Sequence, residues 1–273
     1  TTKSLIKYLK RYLYVYIKGQ HSLEIFKITN NHKKILWINF SAPSLGDSLM
    51  DLSSRVLLSD KNIDLLTDKK NSHIYYNDVT FDCVFTDKKE LINKNYDLVI
   101  IDSYSTKCIK IKTYVAPLTP FVGMYGYVNG PEVNRVLFSF HQINNLLNYL
   151  HSESYINNHA KNSISISSYD KEVVNSLSLP KSFITIAIGG EWEYRTYNKW
   201  EKVIEELLLI DNNLEVVLLG SDNAKVAEKE ILEKFKTSNL ISYVSKLTFN
   251  QTAQIISQSN CLFCCDGGLM HAA

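Results

Sequence analysis

Arginine is scarce in this chain: four residues (Arg11, Arg55, Arg135, Arg195) among 30 Lys plus Arg. So sparse a set offers no extended surface for bidentate phosphate clamping. Charge of one sign is also lacking, since 28 Asp plus Glu leave a net charge of +2, which argues against a general nucleic-acid binder. No uninterrupted apolar run reaches the 18 or so residues that a membrane-spanning helix needs. A signal peptide is not visible either, because Lys3, Lys7, Lys10, Arg11, Lys18 and Lys27 interrupt the first thirty residues. Cysteine is limited to 5 residues, and an odd number in a long chain is not a secreted disulfide framework. Reduced thiols point to the cytoplasm. With 45% hydrophobic residues over 273 positions, what remains is a globular protein with a sizeable core, one large domain or two modest ones.

Two local features stand out from this background. The segment 1–30 is basic and rich in tyrosine, with Tyr8, Tyr12, Tyr14 and Tyr16 between the cations. Its helical spacing allows two readings. Leu5, Leu9 and Leu13 could pack as a stripe on the body, or the basic face could rest on an anionic membrane surface. Near the other end, Cys261, Cys264 and Cys265 have a C-x-x-C spacing. No second Cys or His pair follows at zinc-site distance, so the run Asn260–Cys265 reads as a buried apolar strand and no metal site is expected.

The chain then alternates strand and helix, twice over. Lys34–Phe40 is a short apolar run entering the polar loop Ser41–Gly46, followed by helical spacing from Asp47 to Leu58. Ile63–Thr67, Phe81–Phe85 and Asp97–Ile101 read as further strands, and Val136–Leu150 as a helix. After a connection rich in Asn, Ser and His, the pattern restarts beyond Pro180 with strands at Phe183–Ile188, Leu214–Leu219, Leu240–Val244 and Cys261–Cys265. Helices are expected near 198–210, 222–235 and 249–258. Repeated β-loop-α units predict two Rossmann-like α/β domains. The expected boundaries are an N-terminal segment 1–30, a first domain 31–155, a linker 156–181 and a second domain 182–273.

In such sheets ligands sit beyond the carboxyl ends of the strands, which directs attention to the loops there. In Ser44-Leu45-Gly46-Asp47 the glycine permits a tight turn at a helix start. Asp47 there is either a helix N-cap or a carboxylate able to take a proton from a hydroxyl. In Gly189-Gly190-Glu191-Trp192-Glu193-Tyr194-Arg195 the paired glycines would let backbone approach a phosphate that Arg195 neutralises; the alternative is a plain turn. In Asp266-Gly267-Gly268-Leu269-Met270-His271 the glycines could expose N–H groups to an anion at a helix start. Asp266 there could accept ribose hydroxyls.

Taken in order, these segments resemble glycosyltransferase family 9, the heptosyltransferases of bacterial lipopolysaccharide assembly. Gly46-Asp47 matches the family's Gly-Asp at the first helix; Gly189, Arg195, Tyr197 and Trp200 match a glycine loop followed by a cation and aromatics. Val216-Val217-Leu218-Leu219-Gly220-Ser221-Asp222 matches a strand ending in Gly. Ser245-Lys246-Leu247-Thr248-Phe249 approximates a Gly-Lys-Thr segment, from which it departs. Asp266, Gly268 and His271 match the closing Asp-x-Gly-x-x-His. The likeness runs from about residue 33 to residue 273.

The resemblance implies a GT-B fold, two Rossmann-like domains facing across a cleft, with the C-terminal one cut short. It implies transfer of heptose from ADP-heptose with inversion, without metal or other cofactor, to a lipid-linked saccharide of the lipopolysaccharide or lipooligosaccharide core. Asp47 would be the general base, with Ser44 and Gly46 on the acceptor side. Gly189, Gly190, Arg195, Asp266, Gly267, Gly268 and His271 would hold the donor. Glu191 and Glu193 would then have to point at sugar hydroxyls rather than at the diphosphate. The expected partners are a nucleotide sugar and a lipid-linked acceptor, with peripheral contact at the inner face of the cytoplasmic membrane and no nucleic acid. The alternatives are a degenerate homologue that binds nucleotide sugar without transfer, and a sugar-nucleotide epimerase.

Overall fold

The apolar run after Lys33 forms β1 (Lys34–Asn39), buried at every position but the first. In this computed structural model, which describes residues 2–127, 134–190 and 192–273, β1 lies at the centre of a parallel sheet. Its companions are β2 (Asn62–Thr67), β3 (Phe81–Phe85), β4 (Leu98–Ile101) and β5 (Phe121–Gly123), in the order β3-β2-β1-β4-β5. Helices α1 (Thr2–Ile17), α2 (Leu45–Asp51), α3 (Lys69–Ser72), α4 (Thr106–Val115), α5 (Arg135–Leu146) and α6 (Glu153–His159) complete the first compact unit, Thr1–Ser163. Strands buried on both faces need continuous apolar runs rather than alternation, and Leu36, Ile38, Val99 and Ile101 share one core with Val15 of α1.

The second unit, Ile164–Ala273, repeats the plan. It contains α7 (Ser168–Asn175), β6 (Ile184–Ala187), α8 (Trp200–Ile210), β7 (Val216–Leu219), α9 (Lys225–Lys234), β8 (Leu240–Ser242), α10 (Phe249–Gln258), β9 (Leu262–Cys264) and α11 (Gly268–Ala272). The parallel order is β8-β7-β6-β9. Both units are therefore Rossmann-like, each with a point where the strand order reverses: between β1 and β4 in the first, between β6 and β9 in the second. The division at Ser163 falls inside the stretch 156–181. Much of that stretch is built into the second unit, where Val174 of α7 packs with Phe183 and Ile255.

Several local expectations change. The helix expected over Asp47–Leu58 starts earlier and ends earlier: α2 runs from Leu45 to Asp51, and Ser53–Leu58 is a 3-10 turn. There Arg55 is buried against Asp78 at 2.6 Å. Cys261–Cys265, expected as a buried strand, is the edge strand β9, half-buried, with Cys261 exposed. The leucine stripe of α1 does not pack on the body: Leu5, Leu9 and Leu13 are 58%, 53% and 55% exposed. The helix docks through another face, on which Val15 is fully buried and Arg11 donates to the Tyr127 carbonyl at 3.0 Å. Tyr8 and Tyr12 meet the Tyr127 ring at 5.5 and 5.9 Å. Positions 8, 11 and 15 share a face by i, i+3 and i+4 spacing, and the tyrosines outcompete the leucines for the body.

Candidate functional site

At the reversal point of the first sheet, the loop after β1 and the loop after β4 are joined by one carboxylate. Asp102 is fully buried and accepts from the backbone N–H of Phe40 and Ser41, the Ser41 hydroxyl and the Cys108 thiol. Burial pushes its pKa up, against the pull of those donors. The loop it fixes leads to Ser44, whose extended backbone and hydroxyl make it the N-cap of α2. Asp47 is thus not the cap but the third residue of the helix, and Gly46 is buried in the first turn.

Asp47 is held at both oxygens. Ser44 Oγ donates to Oδ2 at 2.6 Å, and Arg135 Nη1 from α5 donates to Oδ1 at 2.6 Å. One turn later on the same face of α2 lies Asp51. Two carboxylates at i, i+4 repel, and Arg135 resolves that repulsion by binding both: its Nη2 reaches Asp51 Oδ2 at 2.7 Å and its Nε bonds Oδ1. Tyr125, beyond β5, donates to the same Asp51 oxygen and lies under the guanidinium at 5.6 Å. The two acids differ in exposure, the Asp47 side chain at 22% and Asp51 at 3%. Burial pushes the Asp51 carboxyl up to about 7, opposed by its hydrogen bond to Arg135. Asp51 is therefore an anchor, whereas Asp47 keeps a lone pair on each oxygen and an open side toward solvent.

At the reversal point of the second sheet, the loops after β6 and β9 are bridged by Arg195 Nη1 and Asp266 Oδ2 at 3.1 Å. His271 Nε2 lies 3.9 Å from the other Asp266 oxygen. Both partners of the Arg195–Asp266 pair are about half exposed, and Arg195 also lies over the Tyr194 ring at 5.5 Å. An exposed pair of this kind is worth about 0–1 kcal/mol and opens readily. The backbone N–H of Tyr197 bonds the Cys265 sulfur at 3.2 Å, tying the same two loops together.

The glycines here have protein neighbours. Gly189 adopts φ +99°, and a Cβ on it would meet Ala224 and Asn223 at 3.0 Å; one on Gly190 would meet Thr196 Oγ1 at 2.6 Å. Asn223 Nδ2 donates to the Gly190 carbonyl at 2.6 Å, bringing the loop after β7 beside the loop after β6. Gly267 is extended, a conformation open to any residue, and with Gly268 it opens the short α11. Lys246 donates to the Ser242 carbonyl at 2.8 Å. Glu191 lies outside the described residues. Among the described residues no group of three or more His, Cys, Asp or Glu could hold a metal ion.

Within each unit, then, the residues singled out from the sequence do meet: Ser44, Gly46 and Asp47 in the first, Arg195, Asp266 and His271 in the second. Sequence reasoning missed Arg135, Asp51 and Tyr125. The signal for Asp51 was present in the Asp47–Asp51 spacing, one helical turn; nothing local pointed to Arg135.

The model of glycosyltransferase family 9 (heptosyltransferase) matches residues 119–273, more than half of the chain. No curated protein matches in sequence. Among solved structures, the E. coli ADP-heptose LPS heptosyltransferase II superposes with a TM-score of 0.64 at 20% identity, over 88% of this chain and 81% of that one. The glycosyl transferase family 9 protein of Veillonella parvula gives 0.67 at 15% identity, over 90% and 79%. E. coli heptosyltransferase WaaC with ADP gives 0.63 at 15% identity, over 88% and 83%. The shared fold is of the GT-B type, built from two Rossmann-like units.

Proposed function

This chain belongs to glycosyltransferase family 9 (heptosyltransferase), and on that premise we propose that it transfers a heptose from ADP-heptose to a lipid-linked saccharide of the lipopolysaccharide or lipooligosaccharide core. The solved structures similar in fold include proteins described as an ADP-heptose LPS heptosyltransferase and a heptosyltransferase with ADP, which supports the choice of donor. The observation that carries the reading is Asp47: a partly exposed carboxylate at a strand's carboxyl end, with both oxygens oriented by Ser44 and Arg135. A base of this kind needs fixed direction and an open approach; Ser44 and Arg135 hold the carboxylate, and its partial exposure supports an approach from solvent.

The chemistry is a single displacement. The acceptor hydroxyl oxygen forms the new bond to the anomeric carbon while Asp47 takes its proton. The bond from that carbon to the diphosphate oxygen breaks, and ADP leaves with the electron pair from the opposite side, so the configuration inverts. Charge growing on the diphosphate is met by Arg195 and by backbone N–H groups of the Gly189–Gly190 and Gly267–Gly268 loops rather than by a metal. Arg195 leaves its exposed pairing with Asp266 for the more highly charged diphosphate. Asp266 is freed for ribose hydroxyls, and His271 stays beside it. A lipid-linked acceptor brings the protein to the inner face of the cytoplasmic membrane as a peripheral partner.

A thermal-shift panel of ADP, UDP, GDP and CMP tests the donor. Selective stabilisation by ADP, about 2.7 kcal/mol at a hundredfold excess over Kd, is the expected result. A preference for UDP would overturn the ADP-heptose reading, and no response to any nucleotide would favour a homologue without transfer activity.

A further inference from the structure

Helix α1 presents three faces, and the body of the first unit leaves the apolar one bare. Val15 and Arg11, with Tyr8 beside them, form the docking face. At 100° per residue, Leu5, Leu9, Leu13, Ile6, Ile17 and Tyr16 fall together on a second arc, and all six are more than half exposed. Lys3, Lys7 and Lys10, all exposed, flank Tyr14 on the third arc, next to the apolar one; Tyr14 packs on the core. Residues 1–23 contain no Asp or Glu. The first acid, Glu24, is engaged by the hydroxyls of Tyr104 and Tyr127.

A wide unpartnered apolar arc bordered by cations, on a helix held by its remaining face, is the pattern of a helix lying in a lipid interface. We propose that α1 docks the protein on an anionic lipid surface, with Leu5, Leu9, Leu13 and Ile6 entering the acyl boundary and Lys3, Lys7 and Lys10 meeting the headgroups. The charge chooses the occupant: an apolar protein partner would have no use for an acid-free border, whereas anionic headgroups complement it. The anchoring also has a direction. Tyr8, Arg11 and Tyr12 contact Tyr127, which follows the carboxyl end of β5, so the lipid-facing helix is fastened to the ligand end of the sheet that carries Asp47. The inference deepens the proposed use of a lipid-linked acceptor, but its test does not depend on transfer.

The test is co-sedimentation of the full chain with phosphatidylglycerol vesicles and with phosphatidylcholine vesicles. Binding to the former, weakened by salt, and little to the latter is expected. The double variant Leu9→Glu, Leu13→Glu should lower binding at least about tenfold, with unchanged thermal stability because both sites are exposed. The triple variant Lys3→Gln, Lys7→Gln, Lys10→Gln should lower it by about fivefold per charge. Undiminished binding of the leucine variant, or no binding of the parent, overturns the proposal. So does a parent dimer that the leucine variant dissolves, which would give the face to a second copy. ADP stabilisation is measured in parallel: its loss with vesicle binding intact contradicts the donor assignment alone, and the converse contradicts only the docking helix.

Discussion

The two candidate clusters are built from the same chemistry, carboxylates paired with one arginine, yet they sit in opposite environments. Around Arg135 the pair is drawn inward: Asp51 is 3% exposed, Tyr125 closes over it, and Asp47 is gripped on both oxygens. Around Arg195 both partners are about half exposed and the contact is single. A buried ion pair with one partner removed is costly, whereas an exposed pair contributes little. In the proposed reaction the difference separates tasks. A proton acceptor benefits from being set in place before the acceptor arrives, while a phosphate-binding arginine has to be released from its own protein when the ligand comes.

The largest break in this comparison is Arg135→Ala. It leaves Asp51 buried beside Asp47 without its cation, and urea denaturation should show a loss of about 3 kcal/mol. A loss below about 1 kcal/mol would mean that the first cluster is no tighter than the second. The same buried cluster sets the pH dependence of stability. Burial raises the native Asp51 carboxyl from 3.8 to about 7, so between those values the native state holds a proton that the unfolded chain releases. Its contribution is full below about pH 4, is lost as pH rises to about 7, and is flat above. In Asp51→Asn that slope should vanish from stability curves measured across the window. The smallest stability effect belongs to Arg195→Ala, expected at no more than about 1 kcal/mol, but with ADP affinity lowered about tenfold or more by calorimetry. Equal loss of stability in the Arg195 and Arg135 variants would erase the distinction.

Much of this was legible before the structure, and what was not has physical causes. Buried parallel strands announce themselves as apolar runs, and β1, β2, β4, β6 and β7 follow that pattern, while the edge strand β3 shows one with only Phe81 buried. The three-residue β5 is too short to show one after Pro120. Helix α4 was hidden because Lys107, Lys110 and Lys112 break its apolar spacing; Lys112 is nevertheless buried, reaching Gln20 Oε1 at 2.5 Å, and burial lowers its pKa to about 8. Asp47 was read as a candidate cap, whereas Ser44, three residues earlier, takes that place, because the extended backbone there starts the helix at Leu45. In α1 the amphipathic spacing was clear, but two faces carry large side chains, so periodicity alone could not say which would pack. Arg135 was beyond local reading, since it meets Asp47 across 88 positions. Pairing at that range is set by topology, and only α5's place beside α2 brings it in.

The central claim is that Asp47 accepts the proton of the attacking hydroxyl. Single-turnover transfer from ADP-heptose by Asp47→Asn, compared with the parent at matched saturation, tests it most directly. The substitution keeps the side chain's shape and, through its one carbonyl oxygen, the hydrogen bond from Ser44, while giving up the one from Arg135 and the basicity of the carboxylate. The account predicts a fall of about 10²–10⁴ in the rate of transfer, with ADP stabilisation unchanged. Transfer at the parental rate by the Asn variant would contradict it.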